Sequence, residues 1–390
     1  MQVTDHATAC PISIAGGGRW ARIIAQTLDR VVSDAARPLI LQTPNSHEAL
    51  AVWVDTQAFR RPVQVCAAFP SLTGPLIVAN AASHHFQTVK QAIGAGRTIL
   101  VEKPMVQTLA DLEMLKTSAA AAGCALAPAH VFAFAPYVTR FAACVPSRVD
   151  RAHFTWTDAF PKDPNVKQYD PALPVYADWV PHIVSVLDHV QPGKDIRITG
   201  LEMSKGGARL QITGQWGEAA LTLVLDRRAP QRQRVLHMTA QGGEPHRLDF
   251  SQEPGQIYHG DRCQTGGPDW GTGPGPLAAM LSAFVTLADT GVRDPRLQMA
   301  TATKGVQAVE ACQKLYQAAQ HSWLQATLPN ACDPHDTDLH YAFSEILGTG
   351  RITAAVSQRM IEIYQGVVDR NWIDAAYADS QLQRARRPYD

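Results

Sequence analysis

The stretch ISIAGGGRWARII, residues 12–24, joins a short apolar run to a glycine-rich turn and the start of an amphipathic helix. Its first four residues predict a strand. The turn has the pattern G-x-G-x-x-A, formed by Gly16, Gly18 and Ala21. Glycines there permit a tight turn and let a pyrophosphate approach the backbone at the N-terminus of the following helix. The stretch predicts the first βα unit of a dinucleotide-binding domain, with an ordinary glycine-rich turn as the alternative.

Outward from this turn, the first third of the chain alternates short apolar runs with helical stretches. The runs are PLILQ (Pro38 to Gln42), PLIVA (Pro75 to Ala79) and TILVE (Thr98 to Glu102). Strands that are apolar on both faces and alternate with helices are typical of a parallel sheet covered on two sides. We therefore expect an α/β Rossmann domain over residues 1–147.

The pattern changes near Val145. Segments such as IRITGLEMS, ARLQITGQW and EAALTLVLDR have few helical signals and are joined by short glycine-containing turns, which predicts mostly antiparallel strands. One helix interrupts them, from Asp178. We expect an α+β second domain with a large open, mostly antiparallel sheet over residues 148–330, and a helical C-terminal extension over residues 331–390.

The composition argues against several classes of protein. The 35 basic residues balance 35 acidic ones without a basic tract, which argues against a nucleic-acid partner. There is no apolar run long enough to span a membrane and no basic N-terminal region typical of a secretory signal, so we expect a cytoplasmic protein. The seven cysteines are scattered singly without a C-x-x-C pair, which predicts reduced thiols and no metal site.

The end of the second strand indicates the type of cofactor. An Asp or Glu about 20 residues past the glycines would hold a ribose 2′-hydroxyl, whereas this chain has the neutral stretch LILQTPNSH. Thr43, Asn45 and Ser46 offer hydroxyl and amide donors to a 2′-phosphate. Arg19 and Trp20 lie in the glycine turn, where the arginine can pair with that phosphate or cover the adenine. We predict NADP, with NAD as the alternative. The alternative role of Asn45 or Ser46 is to cap the following helix, and the two roles are compatible.

The segment TILVEKPM places Glu102, Lys103 and Pro104 at the end of a predicted strand. The carboxyl end of a parallel strand is where such sheets open their ligand crevice. Burial and a neighbouring positive charge would depress the pKa of a lysine there towards neutrality, which makes Lys103 a usable acid or base. The alternative is a surface ion pair between Lys103 and Glu102.

The predicted helix DWVPHIVSVLDHV carries Asp178 and His182 four residues apart, and therefore on one face. Histidine titrates near neutral pH, and a nearby carboxylate orients the imidazole and supports its cation. His182 is a second candidate for proton transfer, with Asp178 as its support. The alternative is that Asp178 only caps the helix, with Pro181 in the first turn.

Three stretches, GGGRWA, IVANAASHHFQTVKQAIGAGRTILVEKPM and DWVPHIVSVLDHV, resemble the Gfo/Idh/MocA oxidoreductases in order and spacing, over about residues 12–328. The resemblance implies a Rossmann domain that binds a nicotinamide cofactor and a second domain whose open sheet covers the substrate. It implies that Lys103 and His182 work at the substrate. It also implies cofactor contacts from further residues, namely Ala79, Asn80, His85, Glu102 and Lys103.

One departure from that family concerns the substrate. Relatives often carry Arg-Phe-x-Pro after the sixth strand, whereas this chain has AFAP, Ala133 to Pro136. The arginine is absent, which puts an anionic or heavily hydroxylated substrate in doubt.

The sequence thus predicts an NADP(H)-dependent dehydrogenase or reductase that transfers a hydride between nicotinamide and a small carbonyl, alcohol or imine, with Lys103 and His182 handling the proton. The alternatives are a thiazoline-type imine reductase of siderophore or natural-product biosynthesis, an enzyme that cleaves glycosides through transient oxidation by bound NAD, and a non-catalytic cofactor-sensing regulator or scaffold. We expect a small-molecule substrate and a homo-oligomer, either dimer or tetramer. The C-terminal extension is expected at a subunit interface or over the active site.

Overall fold

The computed structural model describes residues 10–68, 74–94, 96–159, 170, 172–350 and 352–368. These residues form two compact units, each with its own sheet. The first unit lies within Met1–Ala143, Pro181–Gly193 and Thr265–Gln307, and the second within Cys144–Val180, Lys194–Gln264 and Ala308–Asp390. The domain boundaries expected from the sequence at residues 147 and 330 stay predictions.

The sheet of the first unit has six parallel strands in the order β3-β2-β1-β4-β5-β6. The strands are β1 (Ile12–Ala15), β2 (Leu39–Gln42), β3 (Val63–Cys66), β4 (Leu76–Val78), β5 (Thr98–Glu102) and β6 (Ala125–Ala129). The sequence did not predict β3, because this edge strand is only partly buried and carries the exposed Gln64. The direction in which successive strands are added reverses between β1 and β4. In an open parallel sheet, the ligand crevice forms at such a point.

Helices cover both faces of the parallel sheet. Further helices precede or follow the strands of the second unit. The helices are α1 (Arg19–Val31), α2 (His47–Asp55), α3 (His85–Ala92), α4 (Leu109–Ala121), α5 (Pro136–Cys144), α6 (Val175–Val190), α7 (Pro276–Thr290), α8 (Met299–Thr327), α9 (Thr337–Leu347) and α10 (Ala354–Val368). No helix among the described residues is long and apolar enough to cross a membrane.

Two hydrophobic clusters lie on opposite faces of the parallel sheet, because alternate residues of a strand point to opposite sides. Ile12 and Ile14 pack in one cluster with α1 and α7. Leu76 and Val78 pack in the other with α3 and α4. This burial on both faces explains why the sequence shows near-continuous apolar runs here.

The second unit contains an eight-stranded sheet in the order β14-β13-β12-β11-β7-β10-β9-β8. The strands are β7 (Val149–Ala159), β8 (Ile196–Ser204), β9 (Arg209–Trp216), β10 (Ala219–Ala229), β11 (Gln233–Ala240), β12 (Pro245–Asp249), β13 (Gln256–His259) and β14 (Arg262–Thr265). Most neighbours are antiparallel, but β7 and β10 run parallel. The predicted fold class, a Rossmann domain followed by an open mostly antiparallel sheet, is confirmed.

The described part of the C-terminal extension is helical, as the sequence predicted. Helices α9 and α10 share a hydrophobic cluster with the end of α8, in which Phe343 and Met360 are fully buried. Helix α9 also approaches the turn after β8 closely. A Cβ on Gly206 would lie 2.0 Å from the backbone oxygen of Asp338, and the φ of Gly206 is +64°, so glycine is required there. The described part of the extension is therefore an integral layer of the second unit.

Candidate functional site

The glycine turn between β1 and α1 lies directly against the end of β4. Gly16 has a φ of +142°, and a Cβ there would lie 2.6 Å from the backbone oxygen of Ala79. Gly18 precedes the first turn of α1, whose N-terminus has no side-chain cap, and no atom lies within 4 Å of the position of its Cβ. The turn thus combines a close backbone approach with open space beside Gly18 at the N-terminus of a helix. This geometry fits a dinucleotide pyrophosphate.

The end of β2 lies beside the same turn. The backbone N–H of Gly16 donates to the carbonyl of Gln42 at 2.8 Å. Thr43 is buried, with its Oγ1 3.1 Å from Oγ of the exposed Ser46, and a Cβ on Gly17 would lie 2.9 Å from that Ser46 oxygen. Ser46 precedes α2 but makes no side-chain capping bond. The neutral hydroxyl pair is therefore next to the glycine turn, and Asn45 is exposed next to it.

Arg19 and Trp20 both have exposed side chains at the start of α1. Burial raises the pKa of the Glu102 carboxyl group at the end of β5, and the nearby indole of Trp20 and the charge of Lys103 oppose that rise. The backbone N–H of Lys103 donates to the same carboxyl group at 3.3 Å. Glu102 is therefore a buried structural group, and Lys103 follows it with a half-buried side chain.

His85, the first residue of α3, bridges the ends of two strands. Its Nδ1 lies 2.8 Å from the carbonyl oxygen of Pro104 and its Nε2 lies 3.1 Å from that of Asn80. Burial lowers the pKa of His85, and the contacts with the two carbonyl groups oppose this shift. Asn80 donates through Nδ2 to Thr88 Oγ1 at 2.8 Å, while its buried Oδ1 has no hydrogen-bond partner among the described residues. His85 thus links the chain after Lys103 to the end of β4.

His182 and Asp178 both lie on α6, as predicted, but the helix begins at Val175. Asp178 is therefore inside the first turn and is not the cap. Its Oδ2 lies 3.1 Å from Nη2 of Arg227. His182 is half-buried, and its ring lies edge-on to Phe132 with the ring centroids 5.0 Å apart. The joint action of Lys103, His182 and Asp178 stays a prediction.

Arg227 lies on β10, and no motif in the sequence predicted a role for it. Besides Asp178, its guanidinium donates to the carbonyl of Leu173 at 2.9 Å and to the hydroxyl of Tyr341 at 3.4 Å. Its Nη1 also lies 4.0 Å from the buried carboxylate of Glu345. Burial raises the pKa of Glu345 to about 7, against the opposing charge of Arg227. Tyr341 and Glu345 belong to α9. The C-terminal extension therefore contacts Arg227, which in turn binds Asp178.

His130 is a second residue that the sequence analysis missed, although it directly follows β6. Glu102 and Ala129 are register partners in β5 and β6, so Lys103 and His130 leave the same edge of the sheet from adjacent strands. His130 is buried, and neither ring nitrogen has a hydrogen-bond partner within the described part of the chain. Burial lowers the pKa of His130 to about 4, with the charge of Asp188 opposing this shift. The strand-end rule that selected Lys103 would also have selected His130.

Residues 13–130 match the family model GFO_IDH_MocA, described as an oxidoreductase family with an NAD-binding Rossmann fold. This match confirms the predicted resemblance and, at the level of that description, the prediction of an NAD(P)-dependent oxidoreductase. The search of curated proteins found no match.

Several solved structures share the fold over most of the chain. The UDP-N-acetylglucosamine 3-dehydrogenase GnnA from Acidithiobacillus ferrooxidans is 17% identical, with a TM-score of 0.63 over 80% of this chain and 99% of that chain. GenD2 from gentamicin A biosynthesis, in complex with NAD, is 16% identical, with a TM-score of 0.62 over 83% of this chain and 97% of that chain. KijD10, a 3-ketoreductase from Actinomadura kijaniata in complex with TDP-benzene and NADP, is 13% identical, with a TM-score of 0.62 over 78% and 96%.

Proposed function

We propose that this chain, whose residues 13–130 match the Gfo/Idh/MocA oxidoreductase model, transfers a hydride between NADP(H) and a small carbonyl, alcohol or imine substrate. One observation carries the proposal: the glycine turn lies against Ala79 at the end of β4. Strand β4 pairs with β5, which ends at Glu102, the residue immediately before Lys103. The lysine is therefore held at the edge of the sheet where the cofactor cradle lies.

The residues present fit a nicotinamide dinucleotide. Gly16 and Gly18 would hold the pyrophosphate, because a side chain at Gly16 would strike Ala79 and the space before Gly18 is open. When bound, the dinucleotide supplies or accepts the hydride. Thr43 and Ser46 present hydroxyls beside the turn, and this neutral surface supports NADP over NAD. The exposed Arg19 would pair with the 2′-phosphate.

Lys103 and His182 are proposed to handle the proton. The ammonium group of Lys103 would give a proton to, or withdraw it from, the heteroatom attached to the reacting carbon. His182, on α6 with its ring edge-on to Phe132, would serve the same purpose. Asp178 is proposed as a positioning residue, itself fixed by Arg227.

The substrate class is proposed as a carbonyl or alcohol, the class named for GnnA and KijD10. The short helical turn Val131–Phe134, which replaces the arginine-bearing stretch of relatives, carries no charged residue. This apolar turn supports an imine or another weakly polar substrate as the second candidate.

The test is to replace Lys103 by Met and to follow the absorbance of reduced nicotinamide with a panel of alcohols, ketones and imines. We expect turnover to fall by about 10²- to 10⁴-fold because a proton-transfer group is lost, with the Kd for NADPH nearly unchanged. Lys90→Met is the matched control, since Lys90 is exposed on α3 with its ammonium over the Phe86 ring. It should leave both quantities unchanged.

Loss of NADPH binding in Lys103→Met, with turnover per bound cofactor preserved, would contradict the proposed role of the lysine. If NADP(H) binds to the wild type and nothing in the panel turns over, a cofactor-sensing regulator replaces the enzyme as the favoured function.

A further inference from the structure

Three side chains of types that ligate metals meet at one end of the β12–β13 pair. His246 and His259 are cross-strand partners, with ring centroids 4.6 Å apart. Glu244 directly precedes β12, and its Oε1 lies 3.1 Å from Nε2 of His259. One potential ligand atom from each of the three residues can be chosen so that all lie within 4.8 Å of one another. The cluster lies wholly within the second unit and is independent of the proposed active site.

The environment of His246 is a second observation that indicates a bound ion. Its side chain is only 2% exposed, and neither ring nitrogen has a hydrogen-bond partner among the described residues. Its Nε2 lies 3.9 Å from Oε2 of Glu244, which is too long for a hydrogen bond. A buried polar group without a partner destabilises the folded state, and native proteins rarely contain one that nothing explains.

We infer that Glu244, His246 and His259 bind a divalent transition-metal ion of the Zn²⁺ type. Imidazole nitrogens favour zinc, nickel and copper, whereas Ca²⁺ and Mg²⁺ prefer sites made of oxygen atoms. Two histidines and a carboxylate supply three ligands, and solvent water completes the coordination. An ion on His246 would also provide the partner that this buried ring otherwise lacks.

The surroundings hold the three ligands in place while leaving access from solvent. The backbone of Glu244 accepts from the N–H of Ala240 at 3.0 Å, and the N–H of Gly260 donates to the carbonyl of Pro245 at 3.1 Å. The side chains of Glu244 and His259 are 53% and 42% exposed, so an ion can reach the cluster. A bound ion would join β12 to β13 near the β14 end of the sheet and would stabilise the folded second unit by mass action.

The sequence analysis expected no metal because it searched for paired cysteines. The ligand types here are His and Glu at positions 244, 246 and 259, a spacing that no common zinc motif shares. Only the antiparallel register of β12 and β13 places His259 opposite His246.

The experiment uses the full-length protein, stripped with a chelator and then titrated with ZnCl₂ by calorimetry. We expect a single strong site per chain, d–d absorption bands when Co²⁺ replaces Zn²⁺, and a rise in Tm on adding zinc. His259→Asn, at a half-exposed position that tolerates change, should weaken binding by at least about 100-fold, since even outer-shell partners of a metal contribute 10- to 100-fold. His246→Asn should do the same if it folds.

Two matched controls separate this cluster from other histidines and thiols. His237→Asn removes an exposed histidine of the same sheet, which faces His153 across the strands and lies outside the cluster. Cys263→Ser removes an exposed thiol on β14. Both should bind zinc as the wild type does. The inference is overturned if the wild type binds no zinc, if His259→Asn binds as tightly as the wild type, or if Cys263→Ser abolishes binding.

Discussion

The carboxyl edge of the parallel sheet and the cluster around Arg227 both bury polar groups, but they satisfy them differently. At the sheet edge, His130 and the Oδ1 atom of Asn80 are buried without a hydrogen-bond partner among the described residues. In the second unit, Arg227 pairs with Asp178 and lies beside the carboxylate of Glu345. The first region leaves capacity for a molecule from outside. The second pairs opposite charges internally, although Oε1 of Glu345 has no hydrogen-bond partner among the described residues.

This difference distinguishes polar groups that bind a ligand from polar groups that stabilise the fold. An unsatisfied buried polar group is costly and is retained mainly where something else completes it. A buried ion pair adds little net stability, but the removal of one partner is strongly destabilising. Substitutions in the Arg227 cluster should therefore change stability, and those beside the glycine turn should change binding.

The largest expected effect follows from Arg227→Leu. The change leaves the carboxylates of Asp178 and Glu345 without their cation, which should cost about 3–5 kcal/mol of unfolding free energy. Arg228→Leu is the matched control, because the partner of Arg228, Asp338, is 42% exposed and such a pair contributes about 0–1 kcal/mol. Urea unfolding followed by tryptophan fluorescence measures both. Equal costs for the two variants would show that the cluster is not a compensated centre.

The second effect is a pair of opposite pH dependences. Burial lowers the pKa of His130 to about 4 in the folded protein. As the pH drops, His130 therefore binds a proton in the unfolded chain before it does so in the folded protein, and the free energy of unfolding falls between about pH 6.5 and about pH 4. Burial raises the pKa of Glu345 to about 7 in the folded protein. As the pH rises, Glu345 therefore loses its proton in the unfolded chain before it does so in the folded protein, and the free energy of unfolding falls between about pH 4.5 and about pH 7. Each shift corresponds to a change on the order of 3 kcal/mol.

The variants His130→Leu and Glu345→Gln each remove one of these dependences. Between pH 4.5 and 6.5, we expect the stability of His130→Leu to decline with rising pH relative to the wild type and that of Glu345→Gln to increase. Urea midpoints at a series of pH values provide the measurement. If both variants follow the pH profile of the wild type, burial does not control the protonation of these groups.

The smallest expected effect follows from Ser46→Asp. This substitution tests cofactor binding beside the glycine turn without changing the stability of the fold. Ser46 is exposed and precedes α2, where Asp is a favourable residue. The new carboxylate should repel a 2′-phosphate and lower the NADP/NAD preference by about tenfold, a change of about 1.4 kcal/mol, with Tm nearly unchanged. Ser46→Asn is the neutral control. An unchanged cofactor ratio in Ser46→Asp would place the ribose phosphate elsewhere.

The sequence predicted much of the first sheet because its signals are local. β1 and β5 of this sheet, and β8 of the second sheet, were predicted with the bounds they have, since continuous or alternating apolar runs ended at turn residues. β3 was missed because an edge strand need not be apolar on both faces. The start of α6 was placed at Asp178, a good capping residue, but burial of Val175, Tyr176 and Ala177 extends the helix one turn earlier.

The sequence by itself determined the glycine turn, the parallel order of strands and helices, and the position of Lys103 at a strand end. These features depend on neighbouring residues and on the two periods of side-chain burial. Only the tertiary structure decided that Arg227 holds Asp178, that His130 lies buried beside the lysine's strand, and that His246 faces His259. A charge or imidazole removed from water takes its partner from whatever the fold brings near, and that choice depends on strand register and packing across long stretches of chain.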